Sequence, residues 1–401
     1  MSVRKERYYI ALLLLAIIFI GGSLRSPISS IGPLVPFFSE DLGLSNTMIG
    51  FLNTLPLLAF GLFSPFIPGI ARKYGMEIPL LISMIFLTAG IFMRGMDGTV
   101  MLFFGTAVIG LSIAVGNVLS PGLIKATFPF KVGLMTGLYS FSMNIVSALS
   151  AGLSVSVAAA SGYDWRTALA MWGIFPLIAV FVLILRMPRV MEERKKVFKA
   201  IDGRPSKKLW NSPLAWAVTF YMGLQSLIPY TLFAWLPAIL VDKGFSETEA
   251  GWMLTIYQLG LLPTTFIAPL IAYRFSDQRV LGVSSGLMFA TGLLGVLLMP
   301  VHWMIIPFLS LTGIGAGTTF SLAMMFFVLR SNSVEQSAQL SGMAQSVGYV
   351  LAATGPLLLG MLAEYTGSWS PSMMILIAVS LMIAVFGYFA GSNRTVTNGV
   401  R

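Results

Sequence analysis

Twelve apolar runs, separated by short polar breaks, constrain this chain more than any other feature. They lie near residues 9–38, 47–71, 78–96, 99–124, 132–160, 166–187, 212–241, 248–273, 280–299, 304–329, 337–363 and 371–391. A helix needs about 20 mostly apolar residues to cross a bilayer. The runs therefore predict an all-α membrane protein with twelve transmembrane helices. The first, fifth and seventh are longer than a crossing requires, which predicts tilt or breaks. Charged residues make up 10% of the chain, against about 25% in an ordinary soluble domain. That scarcity, with 56% hydrophobic residues and a mean hydropathy of +0.86, excludes a soluble enzyme, a nucleic-acid binder and a disordered chain. Arg4, Lys5 and Arg7 ahead of an apolar run mimic a signal peptide. The apolar segment continues past Pro36, so it is expected to remain as the first span.

The basic residues give an orientation. With the N-terminus in the cytoplasm, 21 Lys and Arg fall inside, and only Arg94, Arg166 and Lys243 fall outside. This bias predicts both termini in the cytoplasm of a multi-pass plasma-membrane protein. The longest hydrophilic stretch, Arg186 to Asn211, contains Glu192, Glu193, Arg194, Lys195 and Lys196 and reads as a cytoplasmic linker.

The two sides of that linker resemble each other. At an offset of 201 residues, Pro36 meets Pro237, Asp41 meets Asp242, Gly43 meets Gly244, Ser45 meets Ser246, Gly50 meets Gly251 and Pro68 meets Pro269. Later the offset becomes 205, where Gly137 meets Gly342, Asn144 meets Tyr349 and Gly162 meets Gly367. The expected organisation is two pseudo-symmetric six-helix bundles, 1–187 and 212–401, joined by the linker 188–211. Parallel repeats of this kind mark transporters whose halves alternate access around a midplane site.

One charge falls near the middle of a span. Arg25 sits about midway along the first run, where a charge costs about 2.5–3.5 kcal/mol on insertion scales and normally faces a cavity or a partner. All fifteen Asp and Glu fall at helix ends or in loops, so the sequence offers no carboxylate at the depth of Arg25. Arginine does not deprotonate in proteins, and a cation in a low-dielectric cavity favours an anionic or strongly dipolar solute. Helix carbonyls are the alternative partners. The lack of a membrane carboxylate also argues against the usual proton relay. His302 is expected to be an interfacial residue between spans nine and ten. With no cysteine and one histidine, no metal and no cofactor are expected, and no Gly-x4-Gly-Lys-Ser/Thr loop for ATP is present.

The loops Pro68–Gly75 and Pro269–Ser276 resemble a degraded form of the major facilitator signature loop, with Pro68 in place of its first Gly and Arg72 in place of its Asp. Leu24-Arg25, Gly32-Pro33-Leu34, Gly116-Asn117-Val118-Leu119, Val132–Tyr139, Gln225-Ser226, Ala234-Trp235-Leu236-Pro237, Ser341–Tyr349 and Gly367-Ser368-Trp369 are similar to the cyanate transporter and 2-nitroimidazole exporter group of that superfamily. The resemblance implies the major facilitator fold, a secondary or facilitative transporter rather than an enzyme, and a cavity lined by spans one, four, seven and ten. Polar residues at similar depth then become candidates alongside Arg25: Asn117, Tyr139, Asn144, Gln225, Tyr230, Tyr257, Gln258, Gln345 and Tyr349. Pro27, Pro33 and Pro36 in span one and Pro229 and Pro237 in span seven are expected to interrupt those helices. A small cyanate-like anion is the expected solute, with a neutral nitroheterocycle as the alternative. The expected partners are that solute and the bilayer, not nucleic acid, and the expected state is a monomer.

The natural absence of cysteine makes the orientation directly testable. A membrane-impermeant maleimide should label Asp97→Cys on intact cells, and Asp277→Cys only after permeabilisation.

Overall fold

The computed structural model describes residues 3–44, 46–158, 160, 164–197, 207–300 and 302–396. Part of the expected linker, residues 198–206, lies outside them. The helices are α1 (Val3–Ser29), α2 (Ile31–Leu42), α3 (Asn46–Phe63), α4 (Ile67–Tyr74), α5 (Glu77–Arg94), α6 (Thr99–Thr127), α7 (Val132–Ala158), α8 (Trp165–Ala170), α9 (Ile174–Val197), α10 (Lys207–Trp210), α11 (Pro213–Asp242), α12 (Glu247–Arg274), α13 (Arg279–Leu298), α14 (His302–Leu329), α15 (Val334–Thr366) and α16 (Ser370–Ala390). Short 3-10 turns, Ser64–Phe66 and Met171–Gly173, join α3 to α4 and α8 to α9. No strand occurs among the described residues, and twelve segments are long and apolar enough to cross a membrane. Phe86, Phe104, Leu259 and Met374 lie exposed along them, as lipid-facing positions require and aqueous surfaces do not.

Local chemistry sets the helix ends. Ser246 and Glu249 form a reciprocal capping box at the start of α12. Ser212 accepts from the Ala215 amide ahead of Pro213, where the missing N–H of proline costs nothing. The interruptions differ from the expected ones. The first span does break, at Ser30 between α1 and α2, but α11 runs helical through both Pro229 and Pro237. Transmembrane helices tolerate proline where neighbouring groups satisfy the freed carbonyls. The fifth span, though long, is also one continuous helix.

The chain divides into two compact units, one of 1–129 with 138–206 and one of 130–137 with 207–401. In the first unit, α5 and α6 approach closely at Gly90 and Gly105, where an added Cβ would lie 2.9 and 2.6 Å from the facing carbonyl. Glu77, at the start of α5, binds Arg186 of α9 through both oxygens, at 2.7 and 3.0 Å, and the same guanidinium donates to the Tyr9 carbonyl. In the second unit, the residue 201 positions after Glu77 is Gln278. Its amide nitrogen donates to the Ala272 and Phe275 carbonyls, and its amide oxygen accepts from Arg330. Arg330 also donates to the carbonyls of Ala390 and Gly391 at the end of α16, and its own carbonyl accepts from the Val396 amide.

These contacts revise the reading of the charges. Arg94, Arg330 and Glu77 stand at helix ends and Arg186 midway along α9, and all four are buried. Arg25 is thus not the one charge withdrawn from solvent. Removing one partner of a buried ion pair costs about 3–5 kcal/mol, whereas an apolar replacement of both is often close to neutral. Arg186→Met should therefore lower the thermal unfolding midpoint in detergent markedly. The double variant Glu77→Met/Arg186→Met should recover more than half of that loss.

Candidate functional site

In the first unit, α1 meets α7 along a polar seam whose register begins at Gly21. A Cβ there would lie 2.5 Å from Ser142 Oγ and 2.7 Å from the Tyr139 carbonyl, so only glycine permits this approach. One helical turn later, Arg25 Nη1 donates to Asn144 Oδ1 at 2.5 Å, and Asn144 Nδ2 donates back to the Ser140 carbonyl of its own helix. After another turn, Ser29 Oγ donates to the Arg25 carbonyl, accepts from Ser147 Oγ at 2.9 Å and lies 2.8 Å from Ser150 Oγ. Trp172 Nε1 donates to Ser154 Oγ further along the same face of α7. Positions 21, 25 and 29 share a stripe of α1 because residues four apart lie on one face of a helix.

Two more candidates join this cluster. Tyr139 is fully buried, and its hydroxyl donates to Asn117 Oδ1 at 3.3 Å. The Tyr139 phenol also lies within the field of the Arg25 charge and within bonding reach of Ser120. Arg25, Asn117, Tyr139 and Asn144 therefore form one group: a partly buried guanidinium among two amides, a phenol and hydroxyls. Asn144 is a neutral amide, so it orients the guanidinium without cancelling its charge.

The candidates in the second unit fall into smaller groups. Gln225 Nε2 donates to Ser226 Oγ at 2.9 Å, and Gln345 Nε2 donates to Ser341 Oγ at 2.8 Å. Tyr230 and Tyr349 meet edge to face at 6.3 Å. Tyr257 packs edge to face on Phe233 at 5.9 Å, and Gln258 is half-buried with no hydrogen bond among the described residues. Asn144 and Tyr349, equivalent in the repeat, are both buried but keep different company, one a guanidinium and the other an aromatic ring. His302 opens α14.

The residue types in sequence do not reveal Arg94, which reads as a loop arginine at the end of a span. It is fully buried, donating from Nη1 to the Pro27 carbonyl at 2.6 Å and from Nη2 to Ser30 Oγ at 3.4 Å. Its Nε has no partner among the described residues. Arg94 thus grips α1 where it breaks, two residues beyond Arg25. A second signal was present in the sequence: serines 140, 147, 150 and 154, with Asn144 among them, recur on α7 at the three- and four-residue spacing of one helix face.

The comparisons with known proteins accord with this architecture. The Major Facilitator Superfamily model matches residues 11–246 and 230–399. The chain belongs to the Major Facilitator Superfamily. It is 40% identical over 384 residues to the 2-nitroimidazole transporter of Escherichia coli strain K12, covering 96% of each chain. It is 39% identical to an uncharacterized transporter of Bacillus subtilis strain 168, over 96% of this chain and 94% of that one. A cyanate transport protein of the same E. coli strain is 24% identical, over 89% and 91% of the two chains. Among solved structures, the proton:xylose symporter XylE superposes with a TM-score of 0.77 at 12% identity, covering 98% of this chain and 97% of that one. That likeness is one of fold. The protein is a membrane transporter and not an enzyme.

Removing Arg94 would strip the Pro27 carbonyl and the Ser30 hydroxyl of a buried donor, at about 1–3 kcal/mol for each group left unsatisfied. Arg94→Met should lower thermal stability and solute affinity together, and Arg94→Lys should restore part of both. Thermal unfolding and binding titrations on the purified transporter measure the two effects.

Proposed function

We propose that this transporter moves a small anionic solute of the cyanate kind across the plasma membrane by alternating access, with Arg25 as the principal binding group. The observation that carries the reading is the Arg25–Asn144 hydrogen bond, which holds a permanent cation in a fixed orientation within a cluster of neutral donors and acceptors. A charge-assisted hydrogen bond from guanidinium to an anion is short and strong, and the planar fork of arginine offers two parallel bonds. Asn117, Tyr139 and Asn144 complete the binding group in the first unit; Gln225, Tyr257, Gln258, Gln345 and Tyr349 supply the polar groups of the second. The halves 1–187 and 212–401 are the moving parts, 188–211 is their tether, both termini lie in the cytoplasm, and the working unit is a monomer.

One observation favours a second reading, export of a neutral nitroheterocycle. The 40% identity to a 2-nitroimidazole transporter runs over nearly the whole of both chains. Nitro oxygens accept from guanidinium much as an anion does, so both readings place the solute on Arg25.

Proteoliposome transport separates the two. Labelled cyanate and 2-nitroimidazole are compared in wild type, Arg25→Lys, Arg25→Gln and Asn144→Asp. Losing one hydrogen bond to a charged group costs about 1.5–3 kcal/mol, so Arg25→Gln should weaken binding of the transported solute roughly 10- to 100-fold. Asn144→Asp places a carboxylate against the guanidinium, which should abolish anion transport while sparing a neutral solute. Wild-type transport of both solutes by Arg25→Lys and Arg25→Gln would remove Arg25 from the site.

A further inference from the structure

The second unit contains a cleft of about 290 Å³ lined by Trp235, Asp242, Glu364 and Trp369, with Gly360, Ala363, Gly367 and Ser368 between them. It lies where α11 ends, beside the turn from α15 to α16. The two indoles are 5.2 Å apart and inclined at 40°. Trp235 is fixed by donating Nε1 to the Pro356 carbonyl at 2.7 Å, and it fits because residue 360 is glycine: a Cβ there would lie 2.7 Å from its ring. Among the described residues no lysine or arginine lines the cleft. Lys243, next to Asp242, is directed to the Leu297 carbonyl at 2.9 Å. Among the described residues neither Asp242 nor Glu364 has an ion pair.

The internal repeat supplies the comparison. Asp41 is the repeat equivalent of Asp242, and Gly162-Tyr163-Asp164-Trp165-Arg166 parallels Gly367-Ser368-Trp369-Ser370 once one residue is dropped from the second copy so that the two tryptophans align. In the first unit Asp41 accepts from Trp165 Nε1 at 3.1 Å and binds Arg166 at 2.8 Å. The Arg166 guanidinium also meets Asp97 at 2.7 Å and Asp164 at 3.4 Å, and it lies 4.3 Å from the centre of the Trp165 ring. Slight burial raises the Asp164 carboxyl, but hydrogen bonds from the Thr167 amide and hydroxyl and the charge of Arg166 outweigh it and hold the group below its ordinary range. The same combination of aspartate and tryptophan thus holds a guanidinium belonging to the chain itself. In the second unit the residue after the tryptophan is Ser370, followed by Pro371, so neither position that could correspond to Arg166 carries a charge.

We propose that the Trp235–Trp369 cleft binds a small organic cation, of the alkylguanidinium or alkylammonium class, in the place that Arg166 fills in the first unit. The cation lies against the indole faces, where the ring quadrupole attracts it, and donates to Asp242 and Glu364. Because it touches the end of α11, the end of α15 and the turn into α16, its binding ties these elements together, as Arg166 ties α2, α8 and the turn before α6. This site is separate from the solute group around Arg25 and takes ligands of the opposite charge.

The test is titration of the full-length transporter in detergent with n-butylguanidinium chloride at constant ionic strength, followed by tryptophan fluorescence and thermal unfolding, with sodium butyrate as the control. Saturable quenching and a raised unfolding midpoint are expected with the cation only. Asp242→Asn/Glu364→Gln should weaken binding at least tenfold. Ser370→Arg, which sets an arginine directly after Trp369 as Arg166 follows Trp165 and leaves both carboxylates intact, should abolish the response to ligand and raise the midpoint without it. The proposal is overturned if wild type shows no saturable response, as expected of tryptophans that only anchor the helices at the lipid interface. It is equally overturned if Ser370→Arg binds the cation as wild type does.

Discussion

A guanidinium keeps its charge at any depth in a membrane, so each buried arginine must find acceptors that do not themselves demand solvent. Backbone carbonyls released at helix ends and breaks are such acceptors. Arg94 takes the Pro27 carbonyl where α1 gives way to α2, Arg186 takes that of Tyr9, and Arg330 takes those of Ala390 and Gly391. Two of these contacts, those of Arg94 and Arg330, tie one transmembrane helix to the break or end of another, and that of Arg186 reaches a carbonyl within α1. The placement of Arg25 depends on this arrangement, because the break in the first span lies a turn beyond it and Arg94 holds that break.

The two units solve the same problem with different chemistry. At the equivalent positions 77 and 278 the first has a glutamate, which meets Arg186 of α9, and the second a glutamine, which meets Arg330 beyond α14 with carbonyls completing the set. At the opposite helix ends, Arg166 neutralises the acids of the first unit, while the acids of the second line a cleft. A repeat fixes the positions of helices more tightly than it fixes the charges placed on them.

The spans were legible because their signal is additive: some twenty apolar residues in a row outweigh any single exception. The breaks were not, because proline acts through its surroundings. Pro27 adjoins a break held by Arg94, whereas Pro229 and Pro237 leave α11 intact. Arg25 was legible as a charge out of place, and its partner Asn144 as a polar residue at matching depth. Arg94 was misread as a loop residue because burial at the end of a span comes from packing, here the close approach of α5 and α6 at Gly90 and Gly105. The serine stripe on α7 was readable by period but carries little weight until the facing stripe of α1 is known.

The serines of that seam give the first unit an unusual kind of contact. A hydroxyl donates or accepts with equal ease and changes role by rotating one bond. Ser147 donates to Ser29, whereas the contact of Ser29 with Ser150 has no fixed polarity. Along most helix contacts a change of charge at one end must be absorbed by moving side chains or backbone. Here the Ser29–Ser150 pair can exchange donor and acceptor in place, so beside Arg25 part of that adjustment needs no more than the rotation of two hydroxyls.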